Sequence, residues 1–142
     1  DTISPDLPTF ADLLKTRGYA TGLAGKWQLG PIDAHPTTIL DSGFDEYLMW
    51  ACQAMPPDAP KGLSPRPRYW HPSHVAMGKY VPTTPDQYGP DLELAWLLDF
   101  VRRKKDGPFL AYPVLKDMWP SGVDRLGDSD DRLLIFKQSF VQ

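Results

Sequence analysis

Apolar and polar positions near the start of the chain alternate as expected for a short helix followed by a buried strand. Apolar residues recur at helical spacing between Leu7 and Leu14, and Thr9 with Asp12 three residues later is typical of a helix N-terminus. Gly18 is a natural helix end, so the pattern predicts a helix over residues 9–17. The apolar run after it predicts a strand over residues 19–25.

A second helix and strand are predicted between residues 89 and 115. Pro90 suits the first turn of a helix, and the basic run 102–105 suits its negative end. The expected buried stripe of this helix consists of Leu94, Leu97, Leu98 and Val101, broadened by Trp96 and Phe100. Residues 109–115 then read as a buried strand. Two helix–strand units predict an α/β fold with parallel strands flanked by helices.

The region between these units is rich in proline and is predicted to be mostly loop over residues 31–89. The chain holds 16 prolines in 142 residues, roughly twice the usual share, and many fall in this region. Two short exceptions are expected, a strand or turn at 43–48 and a small hairpin between 68 and 80. The tryptophans of the chain, Trp70 among them, are expected to be packing residues more often than sugar platforms. The alternative for Trp70, and for Arg68 in the same loop, is contact with a substrate.

Composition excludes several classes of function. The net charge of −3 leaves no electrostatic footprint for nucleic acid, and the basic run 102–105 is explained by the helix dipole. A single cysteine, Cys52, excludes an internal disulfide and a cysteine-based zinc site. The longest apolar runs are far too short to cross a bilayer.

Lys26 is the leading candidate for a binding residue. It comes directly after Gly25 at the predicted carboxyl end of a strand, the edge at which open α/β sheets place their ligands. An ammonium group is a compact charge that suits a tetrahedral oxyanion. The alternative is an ordinary solvated lysine. Gln28, two residues on, is a candidate hydrogen-bond donor, with plain surface as its alternative.

The order of motifs around Lys26 resembles the sulfatase family. Residues 18–30 read G-Y-A-T-G-L-A-G-K-W-Q-L-G, which is similar to the family pattern G-Y-x-T-x-x-x-G-K-W-H-L-G. Segment 43–47 resembles the family's G-F-D-x-[FY], and 108–113 resembles the P-F-F-x-Y-x-P strand. Several motifs in family order between about 5 and 120 are more specific than any one of them.

The resemblance implies an alkaline-phosphatase-like three-layer α/β fold and hydrolysis of sulfate esters. In the family a formylglycine made from Cys or Ser in C-x-P-S-R is the nucleophile, and a calcium ion activates it. By this resemblance Lys26 contacts the sulfate group, and Gln28 occupies the position of a family histidine, which makes it a candidate catalytic residue. The expected partner is a small sulfate ester or a sulfated glycan. Met118 occupies the position of a second family histidine, and a thioether cannot protonate a leaving group.

The chain also departs from the family pattern. Cys52 is followed by Gln-Ala-Met-Pro, which is not the nucleophile motif, and the family's aspartate metal ligands are absent from the sequence. We therefore expect residues 1–120 to be part of a sulfatase catalytic domain, 121–142 to be a divergent tail, and this chain alone to be inactive. Two alternatives remain: a degenerate sulfatase fold that binds anions or a partner without catalysis, and a phosphoester hydrolase of the same wider superfamily.

Metal binding by other residues is disfavoured. The spacing of the histidines suits no standard zinc pattern, so we expect all three on the surface: His35, His71 and His74. The late aspartates miss the EF-hand calcium pattern: Asp124, Asp128, Asp130 and Asp131.

Overall fold

The fold is a mixed six-stranded sheet with helices packed against it. The computed structural model describes residues 4, 6–27, 29–30, 32, 35, 37–51, 55–64, 67–114 and 135–137. Three helices lie in this part of the chain: α1 (Phe10–Lys15), α2 (Thr38–Asp41) and α3 (Gly89–Lys104). The six strands are β1 (Ala20–Gly25), β2 (Glu46–Trp50), β3 (His74–Ala76), β4 (Lys79–Val81), β5 (Phe109–Val114) and β6 (Ile135–Lys137).

The strand order is β4-β3-β2-β1-β5-β6, with the three parallel strands at the centre. β1 pairs in parallel with both β2 and β5, whereas β3, β4 and β6 add antiparallel neighbours on the outside. The predicted α/β class is confirmed. The expectation of parallel strands holds only for the three central strands. β3 and β4 are antiparallel because a two-residue turn joins them, and β3 and β6 pair antiparallel with the central strands beside them.

The predicted first unit is confirmed in position but not in burial. Thr9 caps α1 by accepting hydrogen bonds from the amides of Ala11 and Asp12, and the Asp12 carboxylate accepts from the Thr9 amide at 2.9 Å. Of the expected apolar stripe, however, only Ala11 is fully buried. Three members remain largely exposed: Leu7, Phe10 and Leu13.

The second unit, α3 with β5, forms the other main contact with β1. Phe100 is fully buried against Gly22 of β1, where any side chain larger than hydrogen would meet its ring. The buried stripe is shifted from the predicted one, because Glu93, Leu97 and Phe100 face the sheet while Leu94 and Leu98 are exposed. The prediction missed this face because one of its three buried residues, Glu93, is polar, and the apolar spacing alone had indicated a different face.

The basic end of α3 is held by β2. The Glu46 carboxylate pairs with Arg103 at 2.8 Å and with Lys104 at 3.0 Å. The hydrogen bond from Arg103 lowers the pKa of Glu46, and the contact with Lys104 lowers it further. Partial burial alone would raise this pKa, but the two cations outweigh it. These contacts give the basic run a structural role, as predicted.

Asp45 ties the start of β2 to β1. Its carboxylate accepts from the Thr21 amide at 2.9 Å and from the Thr21 hydroxyl at 3.1 Å, and it pairs with Lys15. Burial by itself would raise the pKa of Asp45, but the hydrogen bonds from Thr21 and Lys15 outweigh it and lower the pKa.

The prediction that residues 31–89 are mostly loop is confirmed for the described residues, although the short elements in this region matter more to the sheet than expected. This region contributes α2, β2, β3 and β4, half of the sheet's strands. The two exceptions foreseen there are confirmed as β2 and as the β3–β4 hairpin, whose turn carries Met77 and Gly78 at positive φ. No helix in the part of the chain that the structure describes has the length and apolar character that a membrane span requires.

Candidate functional site

The three parallel strands end together and define one edge of the sheet. Gly25 at the end of β1 lies in register with Met49 of β2 and with Val114 of β5. Residues that come after these strands therefore gather at a single carboxyl edge, the usual place for ligands in open α/β sheets.

Gly25 makes the turn that brings Lys26 to this edge. Its φ of +116° is a conformation that favours glycine, and a Cβ there would collide with the Val114 carbonyl. That carbonyl accepts a hydrogen bond from the Lys26 amide at 3.0 Å. The backbone of Lys26 is thus fixed to the end of β5.

Two cations meet on the indole ring of Trp50, the last residue of β2. The Lys26 ammonium nitrogen lies 5.6 Å from the ring centroid, and the guanidinium carbon of Arg68 lies 5.3 Å from it. Both side chains are half-buried. The Lys26 nitrogen and the Arg68 guanidinium carbon are therefore no farther apart than the sum of these two distances. The two residues are 42 positions apart in the sequence.

Carboxylates do not balance these two charges in the described part of the chain. The ion pairs of the described residues include neither Lys26 nor Arg68. Lys26 offers three donor hydrogens and Arg68 offers five. The carboxyl edge near Trp50 is therefore rich in donors and positive charge, the character that an anion requires.

An aromatic group lies beside Arg68. The guanidinium also sits 5.6 Å from the ring of Tyr69, which stacks on Tyr88 at 6.0 Å. Trp70 packs on Tyr88 at 5.2 Å and stays 63% exposed. Burial raises the pKa of the Tyr88 phenol, with Tyr69 and Asp91 adding to the rise and Arg68 opposing it. Trp70 thus presents an uncovered aromatic surface at the border of the site.

His74 is buried, which corrects the expectation that all three histidines lie on the surface. It stands opposite Trp50 across the β2–β3 pair and is 0% exposed. Its Nε2 lies 3.1 Å from the Oε1 of Glu93, which is also buried, on the first turns of α3. A buried acid needs a partner, and this pair links α3 to β3, the strand that pairs with β2 opposite Trp50.

The other two histidines and the acidic side chains do not gather into a metal site in the described part of the chain. His35 and His71 are exposed, as predicted. Among the described residues, no three side chains of His, Cys, Asp or Glu come together as a metal-binding group. No step proposed for this chain involves a calcium ion.

Several predicted residues lie outside the described part of the chain. They are Gln28, Cys52, Met118 and the four late aspartates. Of the predicted tail 121–142, the structure describes only Ile135–Lys137, which pairs with β5.

Sequence reasoning placed Lys26 at this edge and singled out Arg68 and Trp70, but it missed Trp50, His74 and Glu93. One signal for Glu93 was present. It stands four residues before Leu97 and seven before Phe100, on the helical face that those two residues bury.

No protein-family model matches the chain, and the search of curated proteins returned no significant match.

Proposed function

We propose that this chain is a segment of a sulfuric ester hydrolase of the sulfatase family, in which Lys26 binds the sulfate group. The proposal is supported by the ordered motifs between about 5 and 120 and by the position of Lys26. The single observation that carries it is a lysine fixed at the carboxyl edge by a glycine turn, with no carboxylate against it among the described residues.

The chemistry available to Lys26 is electrostatic. A half-buried ammonium stabilises negative charge more strongly than one in bulk water, because the surrounding dielectric is lower. In an ester hydrolase such a group favours the oxyanion that develops at the reacting centre. The sequence lacks the family's nucleophile motif and its aspartate metal ligands, so this chain on its own is proposed to bind and not to turn over.

The proposal is tested by calorimetric titration of the chain with inorganic sulfate at low ionic strength. Replacing Lys26 with glutamine is expected to weaken sulfate binding about tenfold or more, equivalent to roughly 1.4 kcal/mol, because it removes the charge and leaves a side chain of similar length. Lys79→Gln, on the outer strand β4, removes the same charge and serves as the matched control. Equal affinity in the Lys26 and Lys79 variants contradicts the assignment.

A second function is a non-catalytic sulfatase fold that binds anions or a partner. The residues at the two family histidine positions, Gln28 and Met118, favour it, because neither exchanges a proton near neutral pH. The intact mass of the native protein and its turnover of an aryl sulfate with calcium present separate the two. A much larger native protein with turnover supports the enzyme, and a native protein of this size without turnover supports the binding module.

A further inference from the structure

We propose that Arg68 is a second anion-binding residue, so that the ligand is a ring compound carrying two negatively charged groups. One group lies on Lys26 and the other on Arg68, with the ring between them against Trp50. This inference rests on the proposed function, since it takes Lys26 as the first anion contact. It adds a specificity-determining residue and a class of ligand.

The first argument is the uncompensated charge of Arg68. Its guanidinium contacts two aromatic rings, at 5.3 and 5.6 Å, and takes part in none of the ion pairs of the described residues. Aromatic faces attract a cation but accept few of its hydrogen bonds, so its five donors stay available. A planar fork of donors is suited to sulfate, phosphate or carboxylate oxygens.

The second argument is that the Arg68 segment is held in place before any ligand arrives. The Pro67 carbonyl accepts from the Ser73 amide at 2.9 Å, and the Tyr69 carbonyl accepts from the Gly89 amide at 2.6 Å. A Cβ on Gly89 would collide with the Arg68 carbonyl. Because the backbone on both sides of Arg68 is tied down, less conformational freedom is lost on binding.

The third argument concerns two anions rather than one. Lys26 and Arg68 come from different elements, and each contacts the Trp50 ring separately. Two like charges on one ring repel each other and favour separate counter-charges. Because both cations lie over the indole ring, a ligand ring would pack against the indole edge, in the edge-to-face arrangement that aromatic pairs adopt with centroids about 4.5–7 Å apart.

The test compares four probes that differ in charge number and span. Inorganic sulfate and benzenesulfonate carry a single anionic group, whereas benzene-1,3-disulfonate and the longer naphthalene-2,6-disulfonate carry two. We expect the wild-type chain to bind one of the disulfonates about tenfold more tightly than benzenesulfonate at low salt. Arg68→Gln is expected to remove this preference and to lower the affinity for inorganic sulfate much less than Lys26→Gln does. Arg68→Lys is expected to keep part of the preference, because the charge remains and the fork is lost.

Arg17→Gln is the matched control, since Arg17 is exposed just before β1 at the opposite edge of the sheet. A disulfonate preference that survives Arg68→Gln, or that Arg17→Gln lowers equally, overturns the inference. So does loss of inorganic sulfate binding in Arg68→Gln, which indicates one anion shared by both cations. These results are separate from the failure of the proposed function, which is read from Lys26→Gln and inorganic sulfate alone.

Discussion

Replacing Gly25 with alanine is expected to destabilise the chain by about 3 kcal/mol or more and to abolish sulfate binding. Two costs combine at this position. An alanine would have to adopt a φ of +116°, and its Cβ would collide with the Val114 carbonyl. Relief of the collision requires β1 and β5 to separate at their ends, which breaks the hydrogen bond from the Lys26 amide. Urea denaturation measures the first effect and sulfate titration the second.

Two other glycines separate these costs. Gly18 has a φ of +77° but open space around it, so alanine there is expected to cost only the backbone strain, about 1 kcal/mol. Gly107 has neither a positive φ of this kind nor a close neighbour, and its alanine variant is expected to be neutral or slightly stabilising. The account of the turn is wrong if the Gly25 variant is as stable as the Gly107 variant.

Removing the Glu93 side chain is expected to cost about 3 kcal/mol, because it leaves a buried ring nitrogen without its hydrogen-bond partner and a cavity beside it. Glu93→Ala leaves the His74 ring, which is 0% exposed, without the carboxylate 3.1 Å from its Nε2. Glu93→Gln keeps the shape and an acceptor oxygen, so its expected loss is about 1 kcal/mol. Urea denaturation of the two variants gives the comparison.

Asp91→Ala is the control for the helix itself, because Asp91 is exposed in the first turn of α3, two residues before Glu93, and its loss costs at most about 1 kcal/mol. The double variant His74→Phe with Glu93→Leu removes both polar groups and is expected to recover most of the stability. Equal losses in Glu93→Ala and Asp91→Ala would show that the buried pair does not hold α3 to β3.

The parts of the fold that the sequence predicted are those with local signals. The capping box of Thr9 and Asp12, the proline at the start of α3 and the apolar run of β5 each depend on neighbours in sequence. These helices and this strand could therefore be predicted from the sequence alone. The two helix–strand units and the parallel pairing of β1 with β5 resulted from them.

The region 31–89 was harder because its elements are short and depend on distant partners. β3 and β4 have three residues each, too few for a clear alternation, and β3 adds to β2 while β4 adds to β3. The proline content correctly indicated that most of the region is loop, and the three short strands there contain no proline.

The candidate site divides in the same way. Lys26 could be placed because glycine and lysine come directly after a strand. The meeting of Arg68 with Trp50 could not, since it depends on how the segment before α3 returns to the end of β2. The burial of Glu93 depends on a partner, His74, that lies on another element of the fold.

The central claim is that an anion binds at the carboxyl edge beside Lys26, and nuclear magnetic resonance of the isotopically labelled chain tests it most directly. During titration with sulfate, the account predicts saturable shifts of the Lys26 amide and of the Trp50 indole signal, and their loss in Lys26→Gln. Saturable shifts confined to the basic end of α3, at Arg102 to Lys105, with Lys26 and Trp50 unchanged, would contradict it.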